Sequence, residues 1–262
     1  MYIKAPFSDG FLHLLFGKLP GTGLVVSVVA LAFLLTPSAG SHDQLPEAAI
    51  SFTFDNGHRS VLTQAYPILE EQGMKGVVYA TTSFIGNEGY LSWEELKTLQ
   101  EQGWEIGSHT LNNPDLTKIS QTKVKNQLSS SKNKIESHGL KVFNFASPRG
   151  KYDDQVLKML PDYYLTHRRV DPPGLNPIPL PDRSYRFNLR AVEVTNETPV
   201  AEVMGWMQKA KQENKWLILI FHKIGEEGPL NWEEKKFEKI VQFAEEEDFK
   251  PLGVKQSGPI ST

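Results

Sequence analysis

From Ala48 onward, short apolar runs of strand length alternate with segments whose apolar residues recur at helical spacing. No other feature constrains the chain as much, because strands separated by helices pair in parallel through crossovers. The runs span Ala48 to Phe54, Gly76 to Thr81, Trp104 to Ser108, Val142 to Ala146, Tyr163 to Val170, Tyr185 to Val194 and Trp216 to Phe221. Between them, Ser92 and Glu95 form a capping box that opens a helix stopping at Gly103, and Val124, Leu128 and Ile135 mark a second helix stopping at Gly139. Val200, Val203, Met204 and Met207 form a third apolar stripe, and Phe237, Ile240, Val241 and Ala244 a fourth; both read as core faces. Asp171 to Asp182 carries five of the 17 prolines and reads as an ordered surface excursion. No Gly-x-Gly-x-x-Gly follows the first run. The expected fold is therefore α/β, a distorted or incomplete (β/α) barrel of about seven parallel strands over residues 47–256, with a flavodoxin-like open sheet as the alternative.

Composition narrows the chemistry. With 28 Lys and Arg against 31 Asp and Glu, a formal charge of -3 and no long basic cluster, the footprint of a nucleic-acid binder is missing. The absence of cysteine excludes disulfides, thiol catalysis and thiolate metal ligands, so any metal must sit on nitrogen and oxygen. Residues 1–40 have the layout of an export signal: Lys4 and Lys18 precede an uncharged run from Leu24 to Leu35, and Ser38, Ala39, Gly40 and Ser41 follow it. That run would span only ~18 Å as a helix against a hydrocarbon core of ~30 Å, which favours cleavage near Gly40 over an uncleaved membrane anchor. An exported protein is expected on either reading.

In (β/α) barrels, active sites lie at the C-terminal ends of the strands. Three apolar runs end on polar residues there: the first at Asp55-Asn56-Gly57-His58, the third at Ser108-His109-Thr110, the last at His222-Lys223. Closure of a barrel brings its first and last strands side by side, so Asp55 and His222 would face one cavity as a natural general base and general acid.

These stretches resemble the motifs of the NodB-type polysaccharide deacetylases. Thr53-Phe54-Asp55-Asn56-Gly57 resembles the first motif, Thr-Phe-Asp-Asp-Gly, and His109 to Asn113 lies where the second motif has two histidines four residues apart. Phe145 to Asp153, with Pro148, Arg149 and Tyr152, resembles the third, and Leu219-Ile220-Phe221-His222 the last. The resemblance runs in order from about Ala48 to Leu252. It implies a metal-dependent hydrolase that removes N-acetyl groups from an amino-sugar glycan, with Asp55 as base and His222 as acid. It further implies a divalent metal such as Zn²⁺ at Asn56, His109 and Asn113; His58, two residues from Asn56, is the nearest substitute ligand in this chain. Substrate contacts would come from Pro148, Arg149 and Tyr152, Leu219 and Phe221 would wall the acetyl pocket, and Asp171 would orient the acid.

The sequence departs from that pattern at the metal. Asn56 stands where the family has a carboxylate, Asn113 where it has the second histidine, and Ala146 where the third motif has an arginine. A neutral amide oxygen is a weak donor to Zn²⁺. Three readings stay open: a deacetylase with a modified metal site, a catalytically impaired glycan-binding relative without metal, and a glycosidase pair of Asp55 with Glu105.

Overall fold

A computed structural model of the chain describes residues 48–225, 228 and 230–256, so the expected export segment lies outside the described residues. Five strands pair in parallel in chain order: β1 (Ala49–Asn56), β2 (Gly76–Ala80), β3 (Glu105–Ser108), β4 (Val142–Ala146) and β5 (Thr166–Arg169). They are followed by β6 (Asn176–Pro177), β7 (Leu189–Arg190), β8 (Val192–Glu193) and β9 (Lys215–Phe221), then β10 (Lys223–Ile224), β11 (Asn231–Trp232) and β12 (Lys250–Pro251). β9 lies in parallel against the free side of β1, which joins the ends of the chain as a barrel requires. β7 extends the sheet beyond β5, while β8, one residue later, pairs with β9. The sheet therefore curls almost shut and stays open at one seam crossed by Leu189–Glu193, the distorted (β/α) barrel that the alternation predicts.

Among the described residues six α-helices cover the outside: α1 (Tyr66–Glu71), α2 (Trp93–Glu101), α3 (Gln121–Ser137), α4 (Asp154–Met159), α5 (Val200–Glu213) and α6 (Glu234–Glu246). The capping box is present at α2, where Ser92 Oγ accepts from the Glu95 N–H and the Glu95 carboxylate accepts from the Ser92 N–H. The stripes of α3, α5 and α6 are buried in the layer between helices and sheet. Two strand expectations need correction. Tyr163 to Val170 begins as a helical turn around Pro161, so only Thr166–Arg169 is extended. Tyr185 to Val194 is a 3₁₀ turn, Ser184–Phe187, followed by two two-residue strands, because this segment pairs with a different neighbour on each side of Ala191.

Strand alternation decides which side chains enter the lumen. In β1, Thr53 and Asp55 point inward while Phe52 and Phe54 pack under the helices; in β9, Ile218 and Ile220 point inward while Leu219 and Phe221 pack outward. Phe221 meets Phe237 of α6 edge-on at 5.2 Å between ring centres. In the layer of Asp55, the register places Tyr79 of β2 and then Gly107 of β3. Gly107 matters for its missing side chain: a Cβ there would lie 2.5 Å from the Tyr79 ring and 3.2 Å from the Asn144 carbonyl oxygen. The Arg168 guanidinium also lies over that ring, 4.8 Å from its centre, so the ring is packed against a second buried group. Gly107→Ala should cost about 1–3 kcal/mol through overpacking. Urea unfolding checks this, and an unchanged midpoint would show that the layer can relax.

Candidate active site

β1 ends abruptly because Asn56 and Gly57 both take positive φ, 71° and 81°. Asn tolerates this conformation, and a side chain at Gly57 would also strike Ile85 at 2.8 Å. The turn leaves Asp55 and Asn56 at the rim of the lumen. His222 follows Phe221, whose register partner is Phe54, so His222 stands beside Asp55 as barrel closure predicts. These residues share a cavity of ≈ 310 Å³ with His109, Asn113, Arg149, Gly150, Val170, Glu193 and Leu230. Among the described residues six non-glycine residues have positive φ; Asn56, Asn113 and Arg149 line this cavity, and Thr110 adjoins His109. Backbone strain of order 1–3 kcal/mol per residue gathers where function needs side chains held against local preference.

Asp55 is 5% exposed and is held by a residue that no motif indicates. Arg168 of β5, itself 1% exposed, points across the lumen, and its Nη2 donates to both Asp55 oxygens at 2.5 and 2.7 Å. Arg168 is the register partner of Ala146, so a guanidinium enters the lumen one strand over from the position where the third motif lacks one. Burial alone would raise the Asp55 carboxyl, but Arg168 foremost, with His109 and His222, outweighs burial and holds it below the usual carboxylate range. Asp55 is thus an anion at neutral pH.

His109 Nδ1 lies 2.9 Å from the Ala146 carbonyl oxygen, which can only accept, so Nδ1 carries the hydrogen. Nε2 faces Asp55 Oδ2 at 4.0 Å. Burial pushes this imidazole down to about 4 against the pull of Asp55, leaving Nε2 with a free lone pair at neutral pH. On the other side of Asp55, His222 Nε2 lies 3.9 Å from Glu193 Oε1, the carboxylate nearest to it in the cavity.

Several expected site residues stand elsewhere. Asp171 is exposed, and its backbone carbonyl accepts from Arg169, so it does not orient His222. Leu219 and Phe221 belong to the helix-side core; the apolar cavity walls are Val170 and Leu230. His58 stacks on Tyr90 at 4.7 Å between ring centres, outside the cavity lining. Tyr152 accepts from Arg169, and Pro148 is buried behind Arg149, neither lining the cavity. Glu105 turns to the other end of the barrel, where Asn144 and the Lys255 N–H donate to it, and so forms no pair with Asp55.

The residues do not fit a metal. Asn56 Oδ1 is already engaged by Asn113 Nδ2 at 3.2 Å and by Thr81 Oγ1 at 3.3 Å, so two expected ligands bond to each other. Of the expected ligands that line the cavity, His109 Nε2 alone is a conventional donor, since His58 stands outside the lining. Among the described residues no three His, Asp or Glu side chains converge as a metal site.

A curled parallel sheet with a polar cavity at its C-terminal rim is a NodB-type barrel. Residues 42–166 match the sequence model of the polysaccharide deacetylase family. Among curated relatives, YxkH of Bacillus subtilis is 28% identical over 130 residues, 47% of each chain. The peptidoglycan-N-acetylmuramic acid deacetylase PdaA of the same organism is 28% identical over 115 residues, 43% of this chain and 42% of its own. This chain thus spans about half the length of the curated relatives it matches. Among solved structures, the family 4 carbohydrate esterase of Streptomyces lividans, in complex with acetate, shares the fold at TM-score 0.58 and 15% identity, over 83% of this chain and 98% of that one. The Streptococcus pyogenes deacetylase PplD aligns at TM-score 0.53 and 20% identity, over 60% and 69%.

Proposed function

We propose that this protein hydrolyses the N-acetyl group of an amino-sugar glycan outside the cytoplasm, after export directed by residues 1–40. The observation that carries this reading is the convergence of Asp55 and His222, from neighbouring strands, on one cavity. A cavity of ≈ 310 Å³ is the size of a small ligand site and suits one sugar with its acetamide. Asp55 takes a proton from a water, and the resulting hydroxide adds to the acetyl carbon. The tetrahedral adduct then expels the sugar nitrogen, which takes a proton from His222, giving acetate and a free amine. Glu193 Oε1 stands 3.9 Å from His222 Nε2, on the side away from Asp55. Arg149 at the cavity rim is the cation available to an oxyanion or to an acidic sugar substituent.

The bond between Asn113 and Asn56 favours a second reading, a member of the family that recognises the glycan and has lost hydrolysis. Acetate release from N-acetylated chito-oligosaccharides and peptidoglycan fragments separates the two. On the first reading, Asp55→Asn and His222→Gln each lower the rate by at least about 100-fold. Saturable oligosaccharide binding without acetate supports the second, and neither binding nor acetate sinks both.

A further inference from the structure

We propose that this cavity excludes divalent metal and is built to be electrically balanced without one. Asp55 contributes the one carboxylate buried at its floor, and Arg168 cancels that charge at 2.5 and 2.7 Å. Asn56 and Asn113, at the positions expected to hold metal, are neutral. His109 adds no negative charge in either protonation state. A divalent ion beside these groups would therefore place two uncompensated positive charges in a buried site and next to a guanidinium, where desolvation and repulsion both oppose it. Glu193, the remaining carboxylate of the lining, faces His222 and is 38% exposed, so it does not supply the missing charge at the floor.

Geometry reinforces the charge argument. Asn56 Oδ1 accepts from Asn113 Nδ2 at 3.2 Å and shares the one hydrogen of the Thr81 hydroxyl with the His109 carbonyl oxygen, so it is already engaged within the protein. The same network fixes the Asn113 amide with Nδ2 toward Asn56, which leaves Asn113 Oδ1 buried and without a hydrogen-bond partner. This oxygen and His109 Nε2 are two acceptors on residues that line the cavity where a cation site would offer ligands. Such a pair takes N–H or O–H donors, so a neutral ligand such as an acetamide would be held by hydrogen bonds rather than by coordination. This inference concerns the ion alone and stands whether or not the glycan is hydrolysed.

Untagged protein, stripped with chelator and titrated with Zn²⁺, should retain well under one equivalent after gel filtration, with no shift in melting temperature. The double variant Asn56→Asp, Asn113→His should retain about one equivalent and melt higher with Zn²⁺ than without, since three conventional ligands then converge. Stoichiometric Zn²⁺ in the wild-type protein, lost on His109→Ala, would overturn the proposal. Should the double variant fail to fold, Asn56→Asp alone and the wild-type titration decide. Glycan binding measured with chelator and with Zn²⁺ keeps this result separate from the hydrolysis reading: equal binding is expected, and binding that requires Zn²⁺ counts against metal exclusion whatever the acetate assay shows.

Discussion

Arg168→Met should cost about 3–5 kcal/mol of stability at pH 7, because it leaves the Asp55 carboxylate buried without its partner. The loss should shrink at lower pH. Burial is already the largest single influence on Asp55, and without the guanidinium its strongest opponent is gone; the carboxyl moves up, so the variant relieves the unpaired charge by taking up a proton. The same change removes the base: if Asp55 activates water, the acidic limb of the rate profile moves to higher pH in Arg168→Met. Chemical unfolding at pH 7 and pH 4 measures the first effect. The double variant Asp55→Asn, Arg168→Met provides the control, since removing both partners should recover much of the loss. Equal costs for the single and double variants would mean that the arginine acts by packing on Tyr79 rather than by pairing with Asp55.

Arg168 also marks the limit of what the sequence disclosed. The strands were legible because their apolar runs are bounded by glycines and helix caps, and Asp55, His109 and His222 stood out as polar residues ending those runs. Arg168 ends no run. It sits in Thr166-His167-Arg168-Arg169, which reads as a polar strand, and its partner lies 113 residues away, where no local pattern links them. Alternation alone assigns the faces of the last strand. Since His222 faces the lumen, Ile220 must too, so Leu219 and Phe221 could not wall the same cavity. The place of Asp171 was not legible, because an acid before a proline-rich segment has no periodicity to assign it a face. Glu193 was missed for the opposite reason: it looked like one position of a continuous strand, whereas Val192–Glu193 forms a separate pairing beside β9. The metal question needed coordinates, since only they show Asn113 donating to Asn56.

Acid should destabilise the fold well before its carboxylates are titrated. His109 and His167 are fully buried, and burial pushes both imidazoles from about 6.5 down to about 4. His167 Nδ1 faces the Phe187 carbonyl oxygen at 2.9 Å and its Nε2 pairs with Ser147 Oγ at 2.8 Å, so its neutral form is satisfied on both sides. The unfolded chain begins to protonate these histidines as pH falls through about 6.5, whereas the folded chain resists until about 4. Stability therefore falls across that window, by up to roughly 3 kcal/mol for each histidine. Asp55 adds to the loss at lower pH, because its depressed carboxyl stabilises the fold only while it stays ionised. Glu105 acts in the opposite sense: burial raises it, so it opposes folding as pH rises above about 4.5 and partly offsets the histidines near the acid end of the window. Unfolding free energies at half-unit steps from pH 7 to pH 4 should trace this decline, and His167→Gln, which removes one of the two titrating imidazoles, should flatten it by about half. A wild-type curve that is level between pH 6.5 and 4.5 would mean that these imidazoles are charged in the folded protein, and with that the lone pair assigned to His109 Nε2 would be lost.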